Sequence, residues 1–347
     1  MKIAEIDKNF KIETKINKPN IQFYNALCAP FKVYGVFHED GMFRRIPKGL
    51  AKSVSEGVTH LHANTAGGRI RFKTDSPYIA IHAKMGSVGK MPHFALTGSC
   101  GFDLYVSEKY TATFTPPFDI IDSYESVIDL GIKKMREITI NFPLYSEVKE
   151  LYIGLMRDSL VLESAPYRIE KPIVYYGSSI TQGGCASRPG NAYEALVTQA
   201  LGINHINLGF SGNAKGEKEI SEYICSLDMS AFVYDYDHNA PDIEHLKNTH
   251  ERMFKEIRAS HKDVPIIMMT RPKYTLTSEE KIRHNIIKST YENALSSGDC
   301  NVYFIDGKSL MRYCRNEGTV DNCHPNDWGF YSMAKAVINV LKNKIKL

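Results

Sequence analysis

The sequence lacks any C-x-x-C pair, and its number of cysteines is odd. An odd count without paired spacing argues against a disulfide framework and against a zinc ribbon. It favours reduced thiols in a cytosolic protein. The seven cysteines are Cys28, Cys100, Cys185, Cys225, Cys300, Cys314 and Cys323.

Long apolar runs and a strong excess of one charge are also missing. No window reaches the ~18 apolar residues that a membrane helix needs. The charged start, MKIAEIDKNFKIET, has no apolar segment typical of a secretory signal. The 43 basic and 39 acidic residues give a net charge of +4, without the basic stripe of a nucleic-acid-binding protein. We therefore expect a cytoplasmic protein without membrane or nucleic-acid partners, and the oligomeric state stays open.

The chain is long enough for two domains, and its first half has the pattern of a β protein. Short strand-like runs alternate with turn sequences such as TAGG and TGSCG. This pattern predicts an antiparallel β-sandwich, or jelly roll, over residues 1–168. The strand-like runs are HLHA, RIRF, YIAIHAKM, ITINFPLY and ELYIGL.

From residue 169 to residue 347, strand-like and helix-like segments alternate. Such alternation is typical of an α/β fold, and it predicts a three-layer α/β/α domain with a five-stranded parallel sheet. The helix after the fourth strand begins with a capping box, Thr277 to Glu280. The expected strands are PIVYYG, HINLGF, AFVYDYD, VPIIMMT and VYFID.

Polar residues follow four of these strands. Ser179 comes after the first strand, Gly209 ends the second, Asn239 follows the third, and Asp321 and His324 follow the fifth. The carboxyl ends of parallel strands meet at one edge of a sheet, which is where α/β proteins place their sites. We therefore expect these residues to lie close together.

This set of residues is suited to acyl transfer. A serine hydroxyl needs a base, which His324 can supply, and Asp321 can orient the imidazole. A tetrahedral oxyanion needs preorganised donors, and the backbone amides of Ser179 and Gly209 and the side chain of Asn239 are candidates.

Four segments, GSSITQG, NLGFSG, DHNA and DNCHP, resemble the four sequence blocks of the SGNH/GDSL hydrolases. In the first half, GFDLY (101–105) resembles the G-x-D-L-Y motif of a sandwich domain that precedes some bacterial SGNH esterases. The resemblance implies a serine esterase that uses no metal or other cofactor and forms an acyl-Ser179 intermediate. The implied substrates are short acyl esters, first of all O-acetyl groups of a carbohydrate or oligosaccharide.

Two of the four blocks depart from the family pattern. Ser178 stands where the family has an aspartate before the nucleophile. The third block, G-x-N-D in the family, reads Asp237-His238-Asn239-Ala240, so that Asn239 keeps its place but its neighbours do not. Asn239 could therefore cap the helix that begins near Pro241 instead of binding an oxyanion. We expect His238 to form part of the pocket wall.

Other polar residues have simpler interpretations. His60 and His62 share one face of the expected strand HLHA, but no third ligand has suitable spacing for a metal. A thiol at Cys323 is expected to pack beside the site. Arg271, after the fourth strand, could equally bind a substrate oxygen or pair with a carboxylate.

Two other functions stay open. The same scaffold could serve as a thioesterase or lysophospholipase, or the protein could bind carbohydrate with an inert hydrolase half. The intact Ser179, Asp321 and His324 argue against the second alternative. A sandwich loop, GSVGK or TGSCG, is expected to wall part of the cleft.

Overall fold

The computed structural model of the protein describes residues 15–18 and 20–347, so the amino-terminal segment MKIAEIDKNFKIET lies outside the described residues. It contains a β-sandwich followed by an α/β/α domain with a five-stranded parallel sheet. The fold class predicted from the sequence is confirmed.

The sandwich consists of two antiparallel sheets around one apolar core. The strands are β1 (Ile21–Asn25), β2 (Lys32–Tyr34), β3 (Phe37–Glu39), β4 (Met42–Arg44), β5 (Arg69–Thr74), β6 (Tyr78–Met85), β7 (Phe102–Val106), β8 (Lys109–Phe114), β9 (Ser123–Asp129), β10 (Arg136–Asn141), β11 (Val148–Met156) and β12 (Val161–Leu162). One sheet has the strand order β1-β11-β6-β9, and the other has the order β12-β5-β10-β7-β8 with β2 also paired to β5. Strands β3 and β4 form a separate hairpin.

Between residues 20 and 168, three short helices interrupt the sandwich, and one of them corrects the sequence prediction. They are α1 (Lys48–Val54), α2 (Glu56–Leu61) and α3 (Leu96–Ser99). HLHA was expected to be a strand, but it lies at the end of α2. The Ser55 hydroxyl accepts a hydrogen bond from the Val58 amide at 3.1 Å and so starts this helix. Ala51 and Val58 pack into a core that belongs mainly to the second domain, and this tertiary contact outweighs the local strand pattern.

The elements of the second domain are β13 (Ile169–Gly177), α4 (Tyr193–Leu201), β14 (Ile203–Gly209), α5 (Lys218–Ser226), β15 (Ala231–Asp235), α6 (Ile243–Ser260), β16 (Ile266–Met269), α7 (Ser278–Ser296), β17 (Val302–Ile305), α8 (Gly307–Leu310) and α9 (Asp327–Val340). The strand order of its sheet is β14-β13-β15-β16-β17, and every neighbouring pair is parallel. Short 3₁₀ turns lie at Pro189–Asn191 and Arg315–Gly318, and a π turn at Leu341–Ile345 follows the last α-helix.

The side chains of strand β13 show why the parallel sheet needs helices on both of its faces. Tyr175 and Val174 point to opposite faces of the sheet, into two separate apolar cores, because side chains alternate along a strand. Helices cover both faces, so the strand is buried on both sides.

The predicted capping box is present at the start of α7. The Thr277 side chain accepts from the Glu280 backbone amide, and the Glu280 side chain accepts from the Thr277 backbone amide. In the described part of the chain, no helix is both long enough and apolar enough to cross a bilayer.

The GFDLY segment docks the two domains. It forms most of β7, and the buried Asp103 carboxylate accepts hydrogen bonds from the Gly190 amide at 2.8 Å and the Arg188 guanidinium at 3.0 Å. Its other oxygen accepts one from the Asn141 side chain at 2.8 Å. A Cβ at Gly190 would lie 2.2 Å from the Tyr105 hydroxyl, so this approach requires glycine. The motif therefore joins the sandwich to the segment that follows the nucleophile turn.

Candidate active site

The end of β13 forces the chain into a tight turn that presents Ser179. A Cβ at Gly177 would lie 2.3 Å from the carbonyl oxygen of Asp235, so this strand end needs glycine. The Ser178 amide donates to the same carbonyl at 3.1 Å, and the Gly184 amide donates to the Ser179 carbonyl at 2.8 Å. The turn thus fixes the nucleophile's backbone on both sides.

The structure brings Ser179, His324 and Asp321 into one chain of hydrogen bonds. The Ser179 Oγ lies 2.9 Å from His324 Nε2, and His324 Nδ1 lies 2.7 Å from Asp321 Oδ2. Asp321 Oδ1 accepts from the backbone amides of Cys323 at 3.0 Å and His324 at 2.7 Å. One carboxylate oxygen therefore holds the loop, and the other holds the ring with Nε2 towards the serine.

The charge of Asp321 is maintained by these contacts. Partial burial alone would raise the pKa of Asp321, but the hydrogen bonds from the side chain and the backbone of His324 outweigh it, and the pKa is lowered. The carboxylate thus stays ionised at neutral pH. An ionised carboxylate on Nδ1 selects the tautomer in which Nε2 can accept the serine proton.

The two polar side-chain atoms of Asn239, Oδ1 and Nδ2, differ in their hydrogen bonding. Its Oδ1 accepts a hydrogen bond from the Ala214 amide at 3.3 Å. Among the described residues, neither its Nδ2 nor the Ser179 amide has a hydrogen-bond acceptor. The Ala214 contact sets the orientation of the amide and leaves Nδ2 free to donate.

The structure corrects the prediction for Gly209. Its amide donates to the Asn207 side chain at 2.9 Å, and its carbonyl accepts from the Arg45 guanidinium, so neither group is available to a substrate. Three residues later, the Gly212 amide makes no hydrogen bond within the described chain. Gly212 has φ +71°, and a Cβ there would meet nothing within 4 Å. The free amide of this turn therefore belongs to Gly212, a residue that the sequence analysis did not propose.

Arg271 pairs with carboxylates, which decides between its two interpretations. Its guanidinium donates to buried Asp237 at 2.8 and 3.0 Å and to Glu280 at 2.9 Å. Arg283, which the sequence analysis missed, donates to Asp237 at 2.8 Å and to the Ala240 carbonyl at 2.7 Å. Burial would raise the pKa of Asp237, but Arg271 outweighs it and lowers the pKa to about 2. This network fixes the segment that carries Asn239.

Three further residues stand beside the triad although no motif marked them. Tyr145 of the sandwich donates its hydroxyl to the Ser179 carbonyl at 3.1 Å. The ring centroid of His93, also from the sandwich, lies 5.7 Å from that of His324. Cys185 follows the nucleophile turn and is buried. Tyr145 and His93 come from the other domain, so strand-end reasoning could not find them.

The remaining candidates form no site of their own. His62 is buried and hydrogen-bonds through Nδ1 to the Thr59 carbonyl at 2.7 Å, whereas His60 lies on helix α2. Burial raises the pKa of the Cys323 thiol, which makes it a poor nucleophile. Burial also lowers the pKa of His238 to about 4, so its imidazole is neutral, and its Nδ1 lies 3.7 Å from Cys323 Sγ.

A Ser-His-Asp arrangement at the carboxyl edge of a parallel α/β sheet defines a serine hydrolase site. The chain belongs to the GDSL-like lipase/acylhydrolase family, whose sequence model matches residues 170–342, and it is an esterase. A second model, for the GxDLY amino-terminal domain of SGNH-hydrolase-type esterases, matches residues 21–161. No curated protein matches the chain in sequence.

Solved structures with the same two-domain arrangement include a protein described as a GDSL-like lipase from Bacteroides ovatus. It is 30% identical with a TM-score of 0.83, over 94% of this chain and 98% of that one. A salicylyl-acyltransferase from a tetracycline biosynthetic pathway is 18% identical with a TM-score of 0.76, over 92% and 96% of the two chains. An acetyl xylan esterase from Butyrivibrio proteoclasticus is 12% identical with a TM-score of 0.61, over 94% and 98%.

Proposed function

We propose that this esterase hydrolyses short acyl esters, in the first place O-acetyl groups of a carbohydrate, through an acyl-Ser179 intermediate. The observation that carries the proposal is the continuous chain of hydrogen bonds from Ser179 Oγ through His324 to Asp321, with distances of 2.9 and 2.7 Å. A nucleophile, a base and an orienting carboxylate are the groups that acyl transfer requires.

In the acylation step, His324 Nε2 takes the proton of Ser179 while Oγ attacks the ester carbonyl. The negative charge on the carbonyl oxygen is met by the amides of Ser179 and Gly212 and by Asn239 Nδ2, each of which has no hydrogen-bond acceptor among the described residues. The imidazolium then gives its proton to the departing alcohol. Deacylation repeats these steps with water as the nucleophile and releases the acid.

The surroundings of the nucleophile support the proposed preference for a short acyl group. Ser179 is almost fully buried, and a Cβ at Gly184 would lie 3.0 Å from its carbonyl oxygen and 3.4 Å from the His324 ring. The turn is therefore tightly packed against the backbone of the nucleophile and the ring of its base. The carbohydrate assignment rests on the fold shared with an acetyl xylan esterase, and an acetylated oligosaccharide is the substrate to try first.

The sandwich is proposed to take part in alcohol selection. TGSCG contacts the other domain, because the Thr97 hydroxyl donates to the Ser187 carbonyl at 2.6 Å. In contrast, GSVGK is held inside the sandwich, where the Gly89 amide donates to the Ser146 hydroxyl at 3.2 Å. Of these two loops, TGSCG is the better candidate for a wall of the cleft.

Labelling with a fluorophosphonate probe tests the mechanism, because the probe forms a covalent bond only with an activated serine. We expect one label per chain, located at Ser179 and abolished in Ser179→Ala. Absence of label would favour the inert carbohydrate-binding alternative.

A second experiment tests the substrate class. It compares the release of acetate from acetylated xylo-oligosaccharides with the cleavage of an acyl thioester and of a lysophospholipid. Faster turnover of the acyl thioester or of the lysophospholipid would favour the thioesterase or lysophospholipase alternative.

A further inference from the structure

Three potential metal ligands meet beside the nucleophile. One ligand atom each of His93, Cys185 and His324 can be chosen so that all three lie within 4.8 Å of one another. His93 comes from the sandwich, Cys185 from the chain after the nucleophile turn and His324 from the last loop. The proposed hydrolysis uses only His324, which leaves the convergence of the other two unexplained.

His324 is already arranged as a metal ligand. Its Nδ1 lies 2.7 Å from the Asp321 carboxylate, so Nε2 is the nitrogen through which the ring could bind a metal. A carboxylate on one imidazole nitrogen is the usual partner of a zinc-binding histidine, because it fixes the ring and makes the other nitrogen more basic. A metal on Nε2 would replace the contact between this nitrogen and Ser179 Oγ, which lies 2.9 Å away.

Cys185, which supplies the sulfur, is buried and has an unfavourable backbone conformation. It is 7% exposed and has φ +77°, a left-handed conformation that costs a non-glycine residue energy. A bound cation replaces the proton of the Cys185 thiol, and this proton passes to solvent.

We propose that His93, Cys185 and His324 form an inhibitory site for a zinc-like divalent cation. Two imidazoles and one thiolate suit a borderline-soft metal, and three protein ligands leave a fourth tetrahedral position open. Coordination by Nε2 removes the base that must accept the Ser179 proton, so the bound metal blocks hydrolysis. The inhibition rests on the proposed role of His324 as the base, whereas the binding of the metal does not.

Binding is tested first, with Co²⁺ as the probe and the full-length protein. A thiolate ligand gives cobalt a near-ultraviolet charge-transfer band, which we expect in the parent protein and not in Cys185→Ser. Cys323→Ser is the matched control, because Cys323 adjoins His324 but lies outside the three-residue set, and this variant should keep the band. Absence of the band in the parent, or its persistence in Cys185→Ser, would overturn the site. Neither outcome depends on esterase activity, so the test is separate from that of the proposed function.

Inhibition is tested with Zn²⁺ during hydrolysis of p-nitrophenyl acetate. Without metal, Cys185→Ser and His93→Gln should hydrolyse the ester at the parental rate. Each variant should raise the Zn²⁺ concentration for half-inhibition at least about tenfold, since loss of outer partners alone costs 10–100-fold in affinity. Removal of the metal by a chelator should restore the parental rate. Equal inhibition of the parent and both variants, or an uninhibited parent with the cobalt site filled, would overturn the inhibitory role.

Discussion

The hydroxyl of Tyr145 donates a hydrogen bond to the backbone carbonyl of Ser179 at 3.1 Å. Tyr145 belongs to the sandwich, and Ser179 is the nucleophile of the other domain. Both Tyr145 and Ile180, the residue after the nucleophile, lie in the same apolar core. Burial raises the pKa of Tyr145, so its hydroxyl keeps its proton and remains a donor. The sandwich is therefore part of the scaffold that holds the nucleophile turn.

Replacement of the nucleophile should abolish hydrolysis without unfolding the protein. In Ser179→Ala we expect kcat for p-nitrophenyl acetate to fall about 10⁴-fold or more, because loss of a triad member removes the covalent route. The melting temperature should change little. Ser178→Ala is the matched control, since within the described residues the Ser178 hydroxyl accepts only from the nearby Ile180 amide, at 3.2 Å. This variant should stay within tenfold of the parent. Comparable losses in both variants would count against Ser179.

Two substitutions at Asn239 can distinguish a role as oxyanion donor from a purely structural role. Its Oδ1 accepts from the Ala214 amide, whereas Nδ2 is the proposed oxyanion donor. Asn239→Asp keeps the acceptor and removes the donor, and Asn239→Ala removes both. If the donor matters, both variants should lower kcat by about 10²–10³-fold with little change in KM. Near-normal kcat in Asn239→Asp together with a loss in Asn239→Ala would show a purely structural role.

Much of the second domain could be predicted from the sequence, because its signals are local. Alternating strands and helices indicate a parallel sheet, and a parallel sheet brings its strand ends to one edge. That reasoning places Ser179, Asn239, Asp321 and His324 on one rim without any knowledge of their contacts. The capping box of α7 is likewise contained within four neighbouring residues.

The features that escaped prediction depend on distant contacts. HLHA became helical because α2 packs against the other domain, and Tyr145 and His93 reach the site from the sandwich. Gly209 and Gly212 both suit a turn, and only the hydrogen bond from the Gly209 amide to Asn207 distinguishes them. Hydrophobic periodicity carries no information on such pairings.

Acyl chain length gives a direct test of the substrate preference. We expect p-nitrophenyl acetate to be hydrolysed with a higher kcat/KM than the butyrate, and the octanoate to be the poorest substrate, because the nucleophile turn is closely packed by Gly184 and the His324 ring. The three esters share one leaving group, so the comparison isolates the acyl side. A preference for octanoate would contradict the proposal and support a lysophospholipase.

Asp103 should be important for the stability of the domain pair. Its buried carboxylate accepts from Arg188 at 3.0 Å and from the Gly190 amide at 2.8 Å. Asp103→Ala leaves Arg188 and two other donors without their acceptor, and loss of one partner of a buried ion pair costs about 3–5 kcal/mol. The control is Asp129→Ala, which removes an exposed pair with Lys18 and should cost less than about 1 kcal/mol. Urea unfolding would measure both, and equal effects would contradict the docking role of Asp103.

The buried histidine His250 should make the protein less stable in mild acid. It is 2% exposed, its ring stacks on Tyr234 at a centroid distance of 4.6 Å, and its Nδ1 lies 2.9 Å from the Thr290 hydroxyl. Burial lowers the pKa of His250 to about 3. A histidine in the unfolded chain titrates near 6.5. Between these values the unfolded chain binds a proton that the folded protein does not, so the free energy of unfolding falls as the pH is lowered.

The size of this effect follows from proton linkage. Between pH 7 and pH 5, His250 should contribute a loss of about 2 kcal/mol to the free energy of unfolding. Asp237 does not interfere, because its pKa of about 2 confines its contribution to more acidic conditions. His238 titrates in part of the same range, but it contributes equally to the parent protein and to a variant at position 250. In His250→Gln the pH dependence should therefore be weaker than in the parent by about 2 kcal/mol over this interval. Urea unfolding of both proteins at pH 7, 6 and 5 gives the two slopes, and parallel slopes would mean that His250 already binds its proton in the folded state.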